Sequence, residues 1–144
     1  MLQASEYYNE EYNIVVQLMP NCPNRGVDEI NSSYKKFLES NRIFQISAVK
    51  MGWLNPWWSL TLTENSDPNW MFPDALKERS QDLPTSYCPT GAIWMARVTD
   101  FLEQKTFYGK ELKIEPLDDW RSGVDIDDID DLNFAIALRA NVQQ

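Results

Sequence analysis

The chain has 144 residues, which suits one domain with a sizeable core, and 43% of them are apolar, with six each of Trp, Tyr and Phe, which excludes a disordered chain. A formal charge of −9 without a basic cluster argues against nucleic acid as a partner, and no apolar run approaches the roughly 18 residues of a membrane span. The chain has no His, which excludes Cys–His nucleophiles, Ser–His–Asp triads and most transition-metal sites; any metal should be a hard cation held by oxygen.

The N-terminal MLQASEYYNEEYN has neither the basic nor the apolar region of a signal peptide, so a soluble cytoplasmic protein is expected. Residues 2–11 read as the tail of a helix, and YNIVVQLM (12–19) as a buried strand. PNCPNRG (20–26) breaks the pattern with two prolines and a glycine. Val27, Ile30, Tyr34, Phe37 and Leu38 fall at helical spacing across 27–41, and RIFQISAVKM (42–51) returns to strand character. Strand, loop, helix, strand is a βαβ crossover, which predicts parallel strands with helices on the sheet faces.

Residues 52–73 differ, with four tryptophans and three prolines. WWSLTLT reads as a strand and ENSDPN as a turn, so this segment is expected to be a hairpin excursion serving as a core or a subunit interface rather than a ligand wall. Beyond it, a short helix is predicted over 73–80, a strand over 91–98, and a short helix over 99–104 with Thr99 as its N-cap. A strand over 111–117, a short strand or extended run over 121–127 and a helix over 128–143 complete the chain. The last helix carries Ile129, Leu132, Ala135, Ile136 and Ala140 as one apolar stripe. Cys22 and Cys88 fit no zinc spacing and read as small, semi-buried residues.

Residues 118–131 hold seven aspartates, and they divide by position. Asp118 and Asp119 suit a turn before Trp120. Asp128, Asp130 and Asp131 suit the first turn of the last helix, where unpaired N–H groups and the dipole favour carboxylates. Asp125 and Asp127 are two apart in an extended run and would share a face, where they repel each other unless a cation lies between them. Mg²⁺ suits such a pair, because it takes one or two carboxylates and completes its shell with water and substrate phosphates. An EF-hand is excluded: counting from Asp125, there is no acid at position 5, no Gly at 6 and no Glu at 12.

RSGVDIDDIDDLNFAI resembles the end of the acylneuraminate cytidylyltransferase family, the CMP-sialic acid synthetases and their relatives. LPTSYCPTGAIWMARVTDFLEQKTFYGKELKIEPLD is similar to that family's Leu-Pro, loop, NGAIY, helix, FF or FY with Gly, and strand. VVQLMPNCPNRGVDEI is similar to its LLQPTSPLR…DI. The resemblance implies a nucleotide-diphospho-sugar transferase fold: a Rossmann-like three-layer α/β/α domain with a mostly parallel sheet, occupying 1–144 as one partial domain. A homodimer is expected beside it, partly through the Trp-rich 52–73 excursion, because a domain without its first strands exposes a sheet edge and core surface. The implied activity joins CTP to a nine-carbon acidic sugar and releases pyrophosphate. Asp125 and Asp127 become the catalytic, Mg²⁺-binding pair. Asn21, Arg25, Arg79, Trp94, Phe107 and Tyr108 become substrate-binding positions, the last three packing against the sugar.

Several positions depart from the family pattern. Its loop glutamine is Met19, its Asn before Gly-Ala-Ile is Thr90, and its arginine before Gln-x-Leu-Pro is displaced by one, to Arg79 with Ser80 following. These changes suggest a legionaminate- or pseudaminate-type sugar. The family's first strand and its Gly-rich basic loop, which cradles the CTP phosphates, have no counterpart. The chain therefore matches only the later and larger part of the domain, as an N-terminally truncated form would. Little or no turnover is expected from this chain alone, and the alternative is a non-catalytic dimeric sugar-binding or structural remnant of the same fold.

Overall fold

The computed structural model describes residues 2–52 and 54–140. In chain order the elements are α1 (Leu2–Tyr8), β1 (Ile14–Gln17), α2 (Val27–Glu39), β2 (Phe44–Lys50), β3 (Leu60–Leu62), β4 (Pro68–Trp70), β5 (Tyr87–Arg97), α3 (Val98–Gln104), β6 (Leu112–Pro116) and α4 (Ile129–Ala140). Single 3-10 turns cover Pro56–Trp58, Pro73–Lys77 and Trp120–Gly123. Two compact units result: the described residues up to Val49 with those from Pro89 on, and Lys50–Cys88.

The first unit is built on a four-stranded sheet in the order β1-β5-β2-β6. β1 pairs antiparallel with β5, Ile14 opposite Arg97, and β2 pairs parallel with β6, Phe44 opposite Leu112. β5 is also antiparallel to β2, so one ladder of three is parallel. This corrects the expectation of a mostly parallel, Rossmann-like three-layer sheet. The strand–helix–strand reading made β1 and β2 neighbours, but β5 inserts between them in the opposite direction. Local periodicity carries no information about a strand some forty residues further along the chain.

Strand alternation divides the core between the two faces of the sheet. On one face Cys22, Phe37, Ile93 and Met95 pack with Ile14 and Ile30, so α2 covers this side. On the other, Phe44, Ile46, Ala96 and Phe107 pack with Val15, Trp94 and Phe101. A seven-residue helix and an aromatic loop cover that second face, where full helical layers were expected. Ala92 and Ile93 are consecutive yet join the same cluster, and the Ile93 N–H donates to the Ser47 hydroxyl at 2.9 Å. That break in alternation is the pattern of a β-bulge.

α2 starts at Gly26, whose N–H donates to the Glu29 carboxylate, and its first turn holds Asp28 and Glu29 where the helix dipole favours them. A buried polar network ties it to the sheet. Gln45 donates to the backbone and hydroxyl of Ser33, and Glu115, 4% exposed, accepts from Lys36 at 2.6 Å and Arg42 at 2.7 Å. Both carboxylate oxygens are thereby satisfied, as a buried charge requires.

Other local expectations are adjusted. α3 begins at Val98 with Arg97, not Thr99, in the N-cap position. The 73–80 helix is a 3-10 turn over Pro73–Lys77. Residues 121–127 form no strand: a 3-10 turn ends at Gly123, 124–126 are irregular and 127–128 bend. In α4 only Ala135 of the expected apolar stripe is buried, while Ile129 and Ile136 are 66% and 58% exposed. The helix is held at one patch, where Phe134 stacks on Trp120 and the Ala135 carbonyl accepts from Asn24.

The second unit, Lys50–Cys88, contains the expected hairpin, with Leu60 opposite Trp70 and Leu62 opposite Pro68. Trp57 packs edge-on to Phe72, and the indoles of Trp57 and Trp58 donate to the carbonyls of Pro84 and Ala75. The core expected from its aromatic density does not form, because Ala75 alone is buried among the described residues of this unit. Trp53 lies outside the described residues.

Candidate functional site

β1, β2 and β6 run in one direction, so their carboxyl ends lie at one end of the sheet, where α/β sheets commonly take ligands. The 18–26 loop leaves β1 there and the acidic segment leaves β6 there. The two segments meet. The Ile126 N–H donates to the Asn21 carbonyl at 2.9 Å, and the Cys22 thiol donates to Asp125 Oδ1 at 3.1 Å. Arg25 clamps the same loop from behind, its Nη1 donating to the carbonyls of Met19 and Ala92 at 3.0 and 2.7 Å.

Cys22 is 1% exposed. Burial, then the Asp125 hydrogen bond and its charge, push the thiol up to about 12, so it keeps its proton at neutral pH and acts as the donor. The Arg25 charge opposes this shift and the Asp127 charge adds to it. The acidic segment is preceded by the 3-10 turn Trp120–Gly123. Asp119 caps it, accepting from Arg121 N and from Arg121 Nε at 3.0 and 2.9 Å, and the Arg121 hydrogen bond holds the Asp119 carboxyl below the usual aspartate range. Ser122 donates to Glu29, binding the turn to α2. Gly123 is required here, since a Cβ would lie 2.6 Å from Val49 and 2.8 Å from Thr90.

The remaining aspartates serve the helix start. Asp128 Oδ1 accepts from the N–H groups of Asp130 and Asp131 at 2.8 and 3.0 Å, and Asp131 Oδ2 accepts back from those of Asp127 and Asp128. This is a reciprocal cap, with Asp in the place usually held by Glu or Gln.

Trp94, Phe107 and Tyr108 also come together. Phe107 and Tyr108 lie edge-on to the Trp94 ring at 5.6 and 5.5 Å, and the indole donates to the Thr90 carbonyl at 2.6 Å. Phe107 is buried, Trp94 half-buried and Tyr108 exposed. Gly109 permits the arrangement, because a Cβ there would run into the Phe44 ring. This aromatic group lies on the opposite sheet face from Cys22. Arg79 belongs to the Lys50–Cys88 unit, where its Nε donates to Asp82 at 2.7 Å.

Cys22 is the residue that sequence reasoning missed. It reads as a small semi-buried residue, and its partner is 103 positions away. Asp125 and Asp127 are both exposed, and no group of three or more Cys, Asp or Glu side chains able to hold a metal occurs among the described residues. A closed, all-protein cation cage does not fit these residues.

No family model matches the chain, and a search of curated proteins finds none similar to it. Among the described residues, no helix is long and apolar enough to cross a membrane.

Proposed function

We propose that the chain carries the metal- and sugar-binding part of a cytidylyltransferase of the CMP-sugar synthetase kind. The reaction joins the anomeric oxygen of a nine-carbon acidic sugar, of legionaminate or pseudaminate type, to the α-phosphorus of CTP. The α–β phosphoanhydride bond breaks, pyrophosphate leaves, and the sugar hydroxyl loses its proton. The observation that carries this reading is the docking of the Asp125–Asp127 segment on the loop after β1, through Cys22–Asp125 and Ile126–Asn21. It places two carboxylates at the carboxyl end of the sheet.

Asp125 and Asp127 would hold Mg²⁺, which when bound supplies positive charge against the triphosphate. Asp125 keeps Oδ2 for this role while Oδ1 accepts from Cys22. Arg25 acts here by fixing the loop backbone, since its Nη1 serves two carbonyls. Trp94 and the exposed edge of Tyr108 offer an aromatic surface for a sugar and its acyl groups. The reading places the protein in the cytoplasm, with CTP, as a homodimer through 52–73.

A second reading, a non-catalytic sugar-binding remnant, is favoured by Trp94 and Cys22, the partner of Asp125, packing into clusters on opposite sheet faces. Two measurements test these readings. Calorimetric titration with Mg²⁺ should show binding that is lost in the Asp125→Ala, Asp127→Ala double variant; unchanged binding sinks the metal assignment. Pyrophosphate release with CTP and nine-carbon acidic sugars should be very low for this chain, which has no Gly-rich basic phosphate loop. Robust release would establish the enzyme reading over the remnant.

A further inference from the structure

We propose that the outward face of α4 pairs with α4 of a second copy of this chain, antiparallel about a two-fold axis near Asn133. This inference is independent of the metal and sugar reading above. It uses a face of the sheet unit, whereas the 52–73 excursion belongs to the other unit.

α4 is apolar on both sides. Toward its own unit it offers Ala135, which is buried, and Phe134, which stacks on Trp120. On the opposite side Ile129, Leu132, Ile136 and Ala140 recur at helical spacing, and all four are exposed. A surface helix carries polar residues there, and a helix that is apolar all round is a buried one. Asn133 is the one polar residue on that outward face, which holds no charge although the chain carries −9. Two acidic copies repel each other over most of their surface, and here they do not.

The flank of the stripe identifies the occupant as a second copy. Asp128 caps α4 through Oδ1, which leaves Oδ2 available at the amino end. Arg139 stands at the carboxyl end and makes no ion pair with a described residue. Three turns of about 3.6 residues separate the two, so they share one flank but cannot reach each other within one helix. An antiparallel copy reverses their order. Each Asp128 then meets Arg139 of the other copy, and one contact supplies two ion pairs, as an isologous interface does. The same register slots Ile129 between Ile136 and Ala140 of the second copy and sets the two Asn133 side by side. The centre of the apolar stripe and the centre of the charge pair nearly coincide, so both matches are made at once. Antiparallel helices also lay the positive end of each dipole beside the negative end of the other. One helix face is a small interface, below about 1,200 Å² in total, so a dissociation constant of about 10–100 μM is expected.

The test is sedimentation equilibrium of the full chain at concentrations spanning that range, on the wild type, Ile136→Lys and Arg139→Glu, each checked for folding by its urea midpoint. Both substituted residues are exposed, so the variants should fold. The wild-type mass should rise with concentration from one copy toward two. Ile136→Lys should abolish that rise, and Arg139→Glu, which turns two attractions into repulsions, should weaken association by about tenfold. A wild type that stays monomeric throughout overturns the proposal. So does association that Ile136→Lys leaves unchanged, because it would then run through another face, such as 52–73. Direction is read by mild oxidation of Asn133→Cys and of Ala140→Cys, each combined with Cys88→Ser to remove the exposed thiol. Asn133→Cys should form a disulfide between copies and Ala140→Cys should not, since the two Ala140 lie at opposite ends of an antiparallel pair. No disulfide in Asn133→Cys, or equal cross-linking of both variants, overturns the antiparallel pairing.

Discussion

In the sheet unit, β5 alone buries Ala92, Ile93, Met95 and Ala96, whereas in Lys50–Cys88 Ala75 is the one buried side chain among the described residues. Both regions are rich in apolar residues, and the excursion holds Trp57, Trp58 and Trp70 besides. The difference lies in what covers them. β5 has strands on both sides and side chains packed over both faces, while β3 and β4 form a two-stranded ribbon of three residues each. A ribbon that short cannot enclose a core, and its Leu62 and Met71 remain 65% and 60% exposed. Hydrophobicity measures what a segment could bury; the number of layers around it decides what it does bury.

The contrast can be broken most directly at Phe37, which is fully buried on the inner side of α2. Phe37→Ala should cost about 3–5 kcal/mol in urea unfolding, the range for truncating a core aromatic. A cost below 1 kcal/mol would mean that this face of the sheet is no better packed than the excursion. Next in size is Asp128→Ala, which removes the acceptor for two N–H groups at the start of α4 and should cost about 1 kcal/mol, read by urea unfolding with loss of helical circular dichroism.

A smaller effect is expected from Asp119. Its folded carboxyl is held low by Arg121, so its contribution is fully present above the free aspartate value of about 3.9 and is lost as pH falls through the lower folded value. Asp119→Asn should therefore flatten the acid limb of the stability profile below that pH and leave its shape at neutral pH unchanged. Smallest of all, Leu62→Ser in the excursion should change stability by no more than about 0.5 kcal/mol. If 52–73 forms a subunit interface, the same variant should lower the mass seen by light scattering. A wild-type protein that is already monomeric would remove that role from the excursion.

Element identities were largely legible in the sequence. β-branched residues in YNIVVQLM and RIFQISAVKM mark β1 and β2, and the spacing of Ile30, Tyr34 and Phe37 marks α2. Asp128 and Asp131 were readable as helix-start residues because capping depends on neighbours three positions apart. The α4 stripe was misleading for a related reason. Spacing puts Ile129, Leu132 and Ile136 on one side of a helix but says nothing about whether another element lies opposite.

What the sequence by itself determined were the quantities that depend on near neighbours: strand and helix character, turns, caps, and the separation of the helix-start aspartates Asp128 and Asp131 from the others in 118–131. The tertiary structure alone decided the strand order, because β5 enters between β1 and β2 through pairing across long stretches of chain. It also decided that Cys22 faces Asp125 and that Trp94 and Cys22 point to opposite faces of the sheet. The physical reason is the same in each case. Backbone propensity and periodicity act over a few residues, whereas ladder partners, core faces and a thiol–carboxylate contact across 103 positions arise only when the chain closes on itself.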